Sequence, residues 1–231
     1  MYLTDMTPDE LEAAKKKPLF IPVGSVEFHG NHLPLGTDLY ITEGIARAVA
    51  EKNDIVIAPS FIYSPTGYAV SGPGKGTVDI GIDLFISYCS EILAEYEKMG
   101  FSDIYVLVHH QSDSVIKLIE TAVMKMPHSM YNIKNEIGEG WWTDGKSIGK
   151  SNIYVCNAKL DSPAFGGHGG RGETEAILAL RPQLVHLEKA VPGDYRWAWN
   201  ESDRVDTANA ERAREGLSDI VERWTKRLSM Q

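Results

Sequence analysis

Short runs of apolar, often β-branched residues alternate along the chain with longer stretches whose apolar positions recur every three or four residues. That alternation is the form a βαβ architecture takes in sequence. The runs predict strands near Leu19–Val23, Ile55–Ala58, Ile104–Val108 and Ile153–Cys156. Between them, Thr37 and Asp38 precede a helical stretch through Ile45, Ala48 and Val49. The span Ile82–Met99 places Phe85, Tyr88, Cys89, Ile92, Leu93 and Tyr96 on one stripe. Further helices are predicted at Pro8–Lys16, Ser114–Met126, Glu173–Leu180 and Thr207–Leu228, the last amphipathic. Gly and Pro gather at 64–76, 138–149 and 161–172. In an α/β sheet such loops, at the C-terminal ends of strands, usually build the site. No linker, internal repeat or shift in composition cuts the chain, so one domain over residues 1–231 is expected.

Composition narrows the partners. Lys and Arg number 23 against 32 Asp and Glu, a net charge of −9, whereas a nucleic-acid binder wants a basic face. With 43% hydrophobic residues the chain has ample material for a large core, which excludes disordered and fibrous classes. Apolar runs such as Ile104–Val108 fall far short of the roughly 20 residues of a membrane helix, so no membrane partner is expected. Asp5, Asp9 and Glu10 stand where an export signal would need a basic start and an apolar centre. Cys89 and Cys156, with no C-x-x-C pair, suit a reducing compartment. A cytoplasmic protein is expected.

Candidate chemistry gathers in three places. The first is Gly24 to Asp38, directly after a predicted strand. Glu27 and His29 are two apart, so extended backbone points both to one side, and Asp38 can return from the next turn to share a cation. Carboxylate and imidazole together suit Zn²⁺ or Mn²⁺, and the missing thiolates argue against a closed structural zinc site. The competing reading is a strand-to-helix loop in which Thr37 or Asp38 caps the helix and the histidines are solvated. The second place is Val108-His109-His110-Gln111-Ser112-Asp113. Adjacent residues leaving a strand point to opposite sides, so one His of the pair is expected at a shared site, and His110 is the candidate. The third is Gly166 to Glu175, where five glycines let backbone approach a ligand and Glu173 starts a helical run, favoured there by the dipole. Neither this loop nor Gly72-Pro73-Gly74-Lys75-Gly76-Thr77 fits the spacing of a phosphate-binding loop, and no G-x-S-x-G elbow occurs.

The run Glu27-Phe28-His29-Gly30-Asn31-His32-Leu33-Pro34-Leu35-Gly36-Thr37-Asp38 closely resembles the E-x-H-G-x-H-L-P-x-G-T-D signature of the creatininase (creatinine amidohydrolase) family. Other features come in the family's order. Gly76-Thr77 lies where the family has a P-G-T segment, His110 falls on the His of N-G-H-G-G-N, and His168 with Glu173-Thr174 follows H-A-G-x-x-E-T-S. The resemblance covers residues from about 17 to 185. It implies a three-layer α/β sandwich, a mostly parallel sheet flanked by helices. It also implies two divalent metal ions per chain, zinc or manganese, and a homo-oligomer, often a hexamer. Carried over by position, Glu27, His29, Asp38, His110 and Glu173 resemble the metal ligands, with Asp38 the bridge, and His168 resembles the catalytic acid/base, leaving Glu173 in the catalytic set as well.

Three departures bear on the substrate. Around His110 only the His of N-G-H-G-G-N survives, and Ser112 stands where creatininase has a carboxylate, so the second metal is expected to lean on Glu173 or on Asp113. Phe28 replaces the Gln of E-Q-H-G, and Glu175 replaces the Ser of E-T-S. Trp141 and Trp142, in a Gly-rich loop, and Tyr68 are candidate walls for a small substrate, with packing or subunit contact as the alternative for the Trp pair. Arg171 is a candidate for holding a substrate carboxylate or hydroxyl, against an ordinary solvated or ion-paired Arg. The expectation is a metal-dependent hydrolase attacking the carbonyl of a small cyclic or linear amide. Alternatives are a hydrolase opening a cyclic keto-polyol at a C–C bond, a non-catalytic ligand-binding protein on the same scaffold, and a nucleotide-binding module suggested by the Gly loops alone.

Overall fold

Side-chain alternation along the strands sorts them onto two faces of one sheet. The computed structural model describes residues 1–126, 132–135, 151–190 and 204–230. Its strands are β1 (Leu19–Val23), β2 (Val56–Ile57), β3 (Asp103–Val108), β4 (Asn132–Asn135) and β5 (Asn152–Asn157), in the spatial order β2-β1-β3-β5-β4. Every pair is parallel. The helices are α1 (Pro8–Ala14), α2 (Thr37–Lys52), α3 (Ile82–Met99), α4 (Ser112–Met124), α5 (Arg171–Leu180) and α6 (Ala210–Leu228).

Leu19, Ile21 and Val23, with Ile104, Val106, Val108, Ile153 and Val155, pack against α3 and α4. Phe20, Tyr105, Leu107, Tyr154 and Cys156 project the other way, into a core with α2, α5 and α6. The expected three-layer α/β sandwich is therefore present, and its strands read as continuous apolar runs because both faces are covered. Trp224 fixes α6 to the sheet: its indole N–H donates to the Ala158 carbonyl at 2.8 Å, and its ring lies 4.8 Å from that of Phe20. Among the described residues, no helix is long and apolar enough to cross a membrane.

The strand β4 was not expected. Its sequence, Asn-Ile-Lys-Asn, has a single apolar residue and no pattern of its own, and it is ordered by pairing along the edge of β5. The final helix begins at Ala210 rather than Thr207 because Asn209 caps it, accepting the Glu211 N–H at 2.7 Å.

Gly24 sets how closely β1 approaches the start of α2. A Cβ there would lie 2.6 Å from the Leu39 nitrogen and 2.7 Å from its Cα, both backbone atoms that cannot swing aside. Gly24→Ala is expected to cost about 3 kcal/mol, as overpacking against fixed backbone does, and trimming Leu39 to Ala will not restore it. Denaturant unfolding of the metal-stripped chain reads this directly; an unchanged midpoint would contradict it.

Candidate metal centre

After β1 the chain crosses to α2 on one face of the sheet, and after β3 to α4 on the other. Adjacent strands whose connections part in this way leave a crevice beyond their C-terminal ends. Glu27 and His29 enter it from the loop after β1, and His109 and His110 from the end of β3. Asp38 enters from the first turn of α2, and His168 and Glu173 from the loop after β5 and the first turn of α5. Glu27 and Asp38 are each 1% exposed and Glu173 is 5% exposed. Two of the three carboxylates thus sit at helix N-termini, where the dipole favours negative charge.

The loop carrying Glu27 is held by backbone. Glu27 N–H donates to the Leu35 carbonyl, Val78 N–H to the Val26 carbonyl, and Phe28 N–H to the Thr77 hydroxyl at 3.2 Å. Gly36 occupies the cap position of α2 and no side chain caps it. Asp38 therefore does not spend its carboxylate on the helix end, which disposes of the capping alternative. Its Oδ2 accepts from the Ser25 hydroxyl at 2.6 Å and faces His110 Nδ1 at 3.1 Å, while Oδ1 faces His29 Nε2 at 3.2 Å.

Three imidazoles are oriented by one device. His29 Nδ1–H donates to the Glu27 carbonyl at 2.9 Å, His110 Nε2–H to the Pro65 carbonyl at 3.1 Å, and His168 Nε2–H to the Phe28 carbonyl at 2.8 Å. A carbonyl only accepts, so in each ring the outer nitrogen carries the hydrogen and the inner one is left facing carboxylates. His29 Nε2 lies 3.7 Å from Glu173 Oε2, His110 Nδ1 lies 3.0 Å from Glu27 Oε2, and His168 Nδ1 lies 3.9 Å from Glu27 Oε2. Glu27, fully buried, has no well-directed hydrogen bond to either oxygen. Bare nitrogens and carboxylate oxygens converging on one point repel unless a proton or a cation stands between them. Two triads, Glu27/Asp38/His110 and His29/Asp38/Glu173, each gather ligand atoms within 4.8 Å and share Asp38; Glu27, His29 and His168 form a third. The donor set of imidazole and carboxylate fits Zn²⁺ or Mn²⁺.

Protons play the cation's part when no metal is bound. Burial pulls His29 down, but Asp38, Glu173 and Glu27 together raise it to about 9. Burial likewise opposes the charge on His110, and hydrogen bonds and attraction from Asp38 and Glu27 raise it to about 10. Burial pushes Asp38 up, but His29 and His110 hold it well below the usual carboxylate range. A histidine raised above its ordinary 6.5 stabilises the fold fully below that pH and loses the contribution as pH climbs through the raised value. Metal-stripped protein is therefore expected to lose stability between about pH 7 and pH 10, while Zn²⁺ affinity rises over the same range as the ligand nitrogens give up their protons. Thermal melting and zinc titration across that window check both; a flat zinc affinity would contradict the assignment of these two rings.

A family model described as creatinine amidohydrolase matches residues 4–228. The chain belongs to the creatininase family. Creatinine amidohydrolase of Pseudomonas putida is 24% identical over 203 residues, covering 83% of this chain and 76% of that protein. The 3-dehydro-scyllo-inosose hydrolase of Thermotoga maritima is 26% identical over 203 residues, 83% of this chain and 60% of its own length. The mycofactocin precursor peptide peptidase of Mycolicibacterium smegmatis is 42% identical over 184 residues, 76% of this chain and 63% of its own length. The chain thus spans less than two thirds of the last two relatives. A solved manganese creatininase superposes with a TM-score of 0.71 at 20% identity, covering 96% of this chain and 94% of the other. The creatininase family is a family of hydrolases, and this chain is one of them.

Within this creatininase fold the expected ligands Glu27, His29, Asp38, His110 and Glu173 come together with His168. Asp113 does not; it is exposed in the first turn of α4 and joins none of the triads. The alternation of sides does not extend past the end of β3 to His109. The strand ends at Val108 and Gln111 turns the chain at a left-handed φ of 39°, so both histidines face inward and His109 Nε2 lies 3.4 Å from Glu173 Oε1. His32, not singled out above, is buried and meets the Thr174 hydroxyl at 3.1 Å, tying the first loop to α5. Glu175 turns away from the site and pairs with Arg212 of α6, accepting from its Nε at 2.9 Å, so that departure from the family pattern is structural. Tyr68 is half-exposed, two residues beyond the Thr66 that Asp79 pins through backbone and hydroxyl, in the loop whose Pro65 carbonyl holds His110. Arg171 is exposed at the start of α5. Trp141 and Trp142 lie outside the described residues.

Proposed function

We propose that this creatininase-family chain is a metal-dependent hydrolase that holds two divalent cations, zinc or manganese, and cleaves an amide. The observation that carries the reading is the pair of buried triads sharing Asp38, one oxygen turned to each. A pair of such ions, when bound, makes hydroxide available near neutral pH and polarises a carbonyl. Glu27 and His110 would hold one, His29 and Glu173 the other, and Asp38 both. His168, less buried than the rest, presents Nδ1 to the site and is the group that moves a proton to the leaving nitrogen. The 42% identity to a peptide peptidase, against 24% to the creatinine enzyme, favours a linear peptide amide over creatinine. The match to an inosose hydrolase supports a second reading on the same residues, in which a cyclic keto-polyol is opened at a C–C bond.

The test is a panel of short peptides, lactams, formamides and keto-polyols offered to metal-stripped protein and to protein reloaded with Zn²⁺ or Mn²⁺. Turnover of a peptide only after reloading is expected; equal turnover in stripped protein would overturn the reading. Failure of every substrate on the fully loaded protein would favour the ligand-binding alternative, against which stands the position of His110 inside a triad despite the altered segment around it.

We further propose one domain over the chain, a cytoplasmic setting and a homo-oligomer, the hexamer of the family. The setting is supported by the two buried free thiols, Cys89 and Cys156. Assembly is supported by exposed Leu84 and Tyr88, four apart on one face of α3, and by exposed Ile62 and Tyr63, which follow in sequence the Phe61 whose ring contacts Tyr88.

A further inference from the structure

His109 has no assigned role, and its surroundings give it one. It is 8% exposed and its Nε2 makes no well-directed hydrogen bond, a costly state for a buried polar atom unless a nearby group engages it. That nitrogen points at Oε1 of Glu173, 3.4 Å away. The other oxygen of the same carboxylate, Oε2, accepts the Gly169 N–H at 2.6 Å and lies 3.7 Å from His29 Nε2, on the side of the Asp38 triad. His109 itself joins none of the triads among the described residues. The family segment that His110 matches has Gly at this position, so the motif assigns this imidazole no part.

We propose that His109 is a positioning residue for Glu173: its Nε2–H caps Oε1 and leaves Oε2 as the single oxygen turned to a cation held with His29 and Asp38. This rests on the binuclear reading above. A carboxylate free at both oxygens can chelate a cation with both, filling a position that water or substrate needs. One whose outer oxygen is engaged binds through the inner oxygen alone and keeps that position open. The hydrogen bond also fixes the plane of the carboxylate, as the partners of ligands commonly do.

Zinc and cobalt titrations of the chelator-stripped full chain test this, read by calorimetry and by the visible absorption of bound Co²⁺. The native chain is expected to bind two equivalents. In His109→Ala one equivalent should be unchanged and the other weakened by about tenfold to a hundredfold, with an altered Co²⁺ spectrum for that class alone. His109→Gln, which keeps an N–H donor, should recover most of the loss. His109→Asn, polar but too short to reach Oε1, should behave as alanine does and serves if the alanine variant fails to fold. Superimposable isotherms for native and His109→Ala protein, with Glu173→Gln still losing one equivalent, would overturn the role of His109 alone. Equal weakening of both equivalents, not relieved by Gln, would reduce His109 to a packing residue. A native chain that takes up no second equivalent would remove the binuclear reading itself, and is seen before any variant is made.

Discussion

Asp38→Ala is expected to abolish both metal retention and hydrolysis, with activity falling by at least about a thousandfold. Among the described residues Asp38 is the side chain common to the Glu27/Asp38/His110 and His29/Asp38/Glu173 triads: its Oδ1 faces His29, and its Oδ2 faces His110 and Ser25. Removing the carboxylate takes a ligand from each proposed ion at once. Glu27→Ala or Glu173→Ala would take one ligand from one side. The single-side variants should therefore keep about one equivalent of metal while Asp38→Ala keeps none. Metal content by elemental analysis beside the rate of the best substrate checks this. One equivalent retained in Asp38→Ala would mean that Asp38 does not bridge.

His168→Ala should separate chemistry from metal binding. Its ring stacks on His29 at 4.1 Å, its outer nitrogen is tied to the Phe28 carbonyl, and its inner Nδ1 lies 3.9 Å from Glu27, farther from a carboxylate than the other two inner nitrogens. With a side chain 23% exposed, it is also the inner histidine that solvent and substrate reach. A group so placed is suited to carrying a proton, and its loss should lower kcat by about a hundredfold to ten-thousandfold with KM and metal content little changed. Loss of a metal equivalent together with activity would instead make His168 a ligand, completing the Glu27/His29 group.

The sheet was legible because its strands are buried on both faces and so appear as unbroken apolar runs: β1, β3 and β5 lie within a residue of where Leu19–Val23, Ile104–Val108 and Ile153–Cys156 place them. Edge strand β4 was not, since pairing with β5 orders it and nothing in Asn-Ile-Lys-Asn does. Glu27, His29 and Asp38 could be linked from spacing because strand geometry and a helix start fix their directions. Bringing His110 and Glu173 to them depended on the family resemblance, because strand order is a property of the whole sheet and no local pattern carries it. His109 illustrates the limit in the other direction. The rule of alternating sides holds inside a ladder, and His109 is the first residue beyond it, where the left-handed turn at Gln111 sets direction instead.

Metal content of the native protein, purified without chelator and then saturated with Zn²⁺ or Mn²⁺, tests the central claim most directly. The account predicts two equivalents per chain, both removed by chelation together with hydrolysis and both restored on reloading. One equivalent or fewer at saturation, or hydrolysis that survives complete stripping, would contradict it.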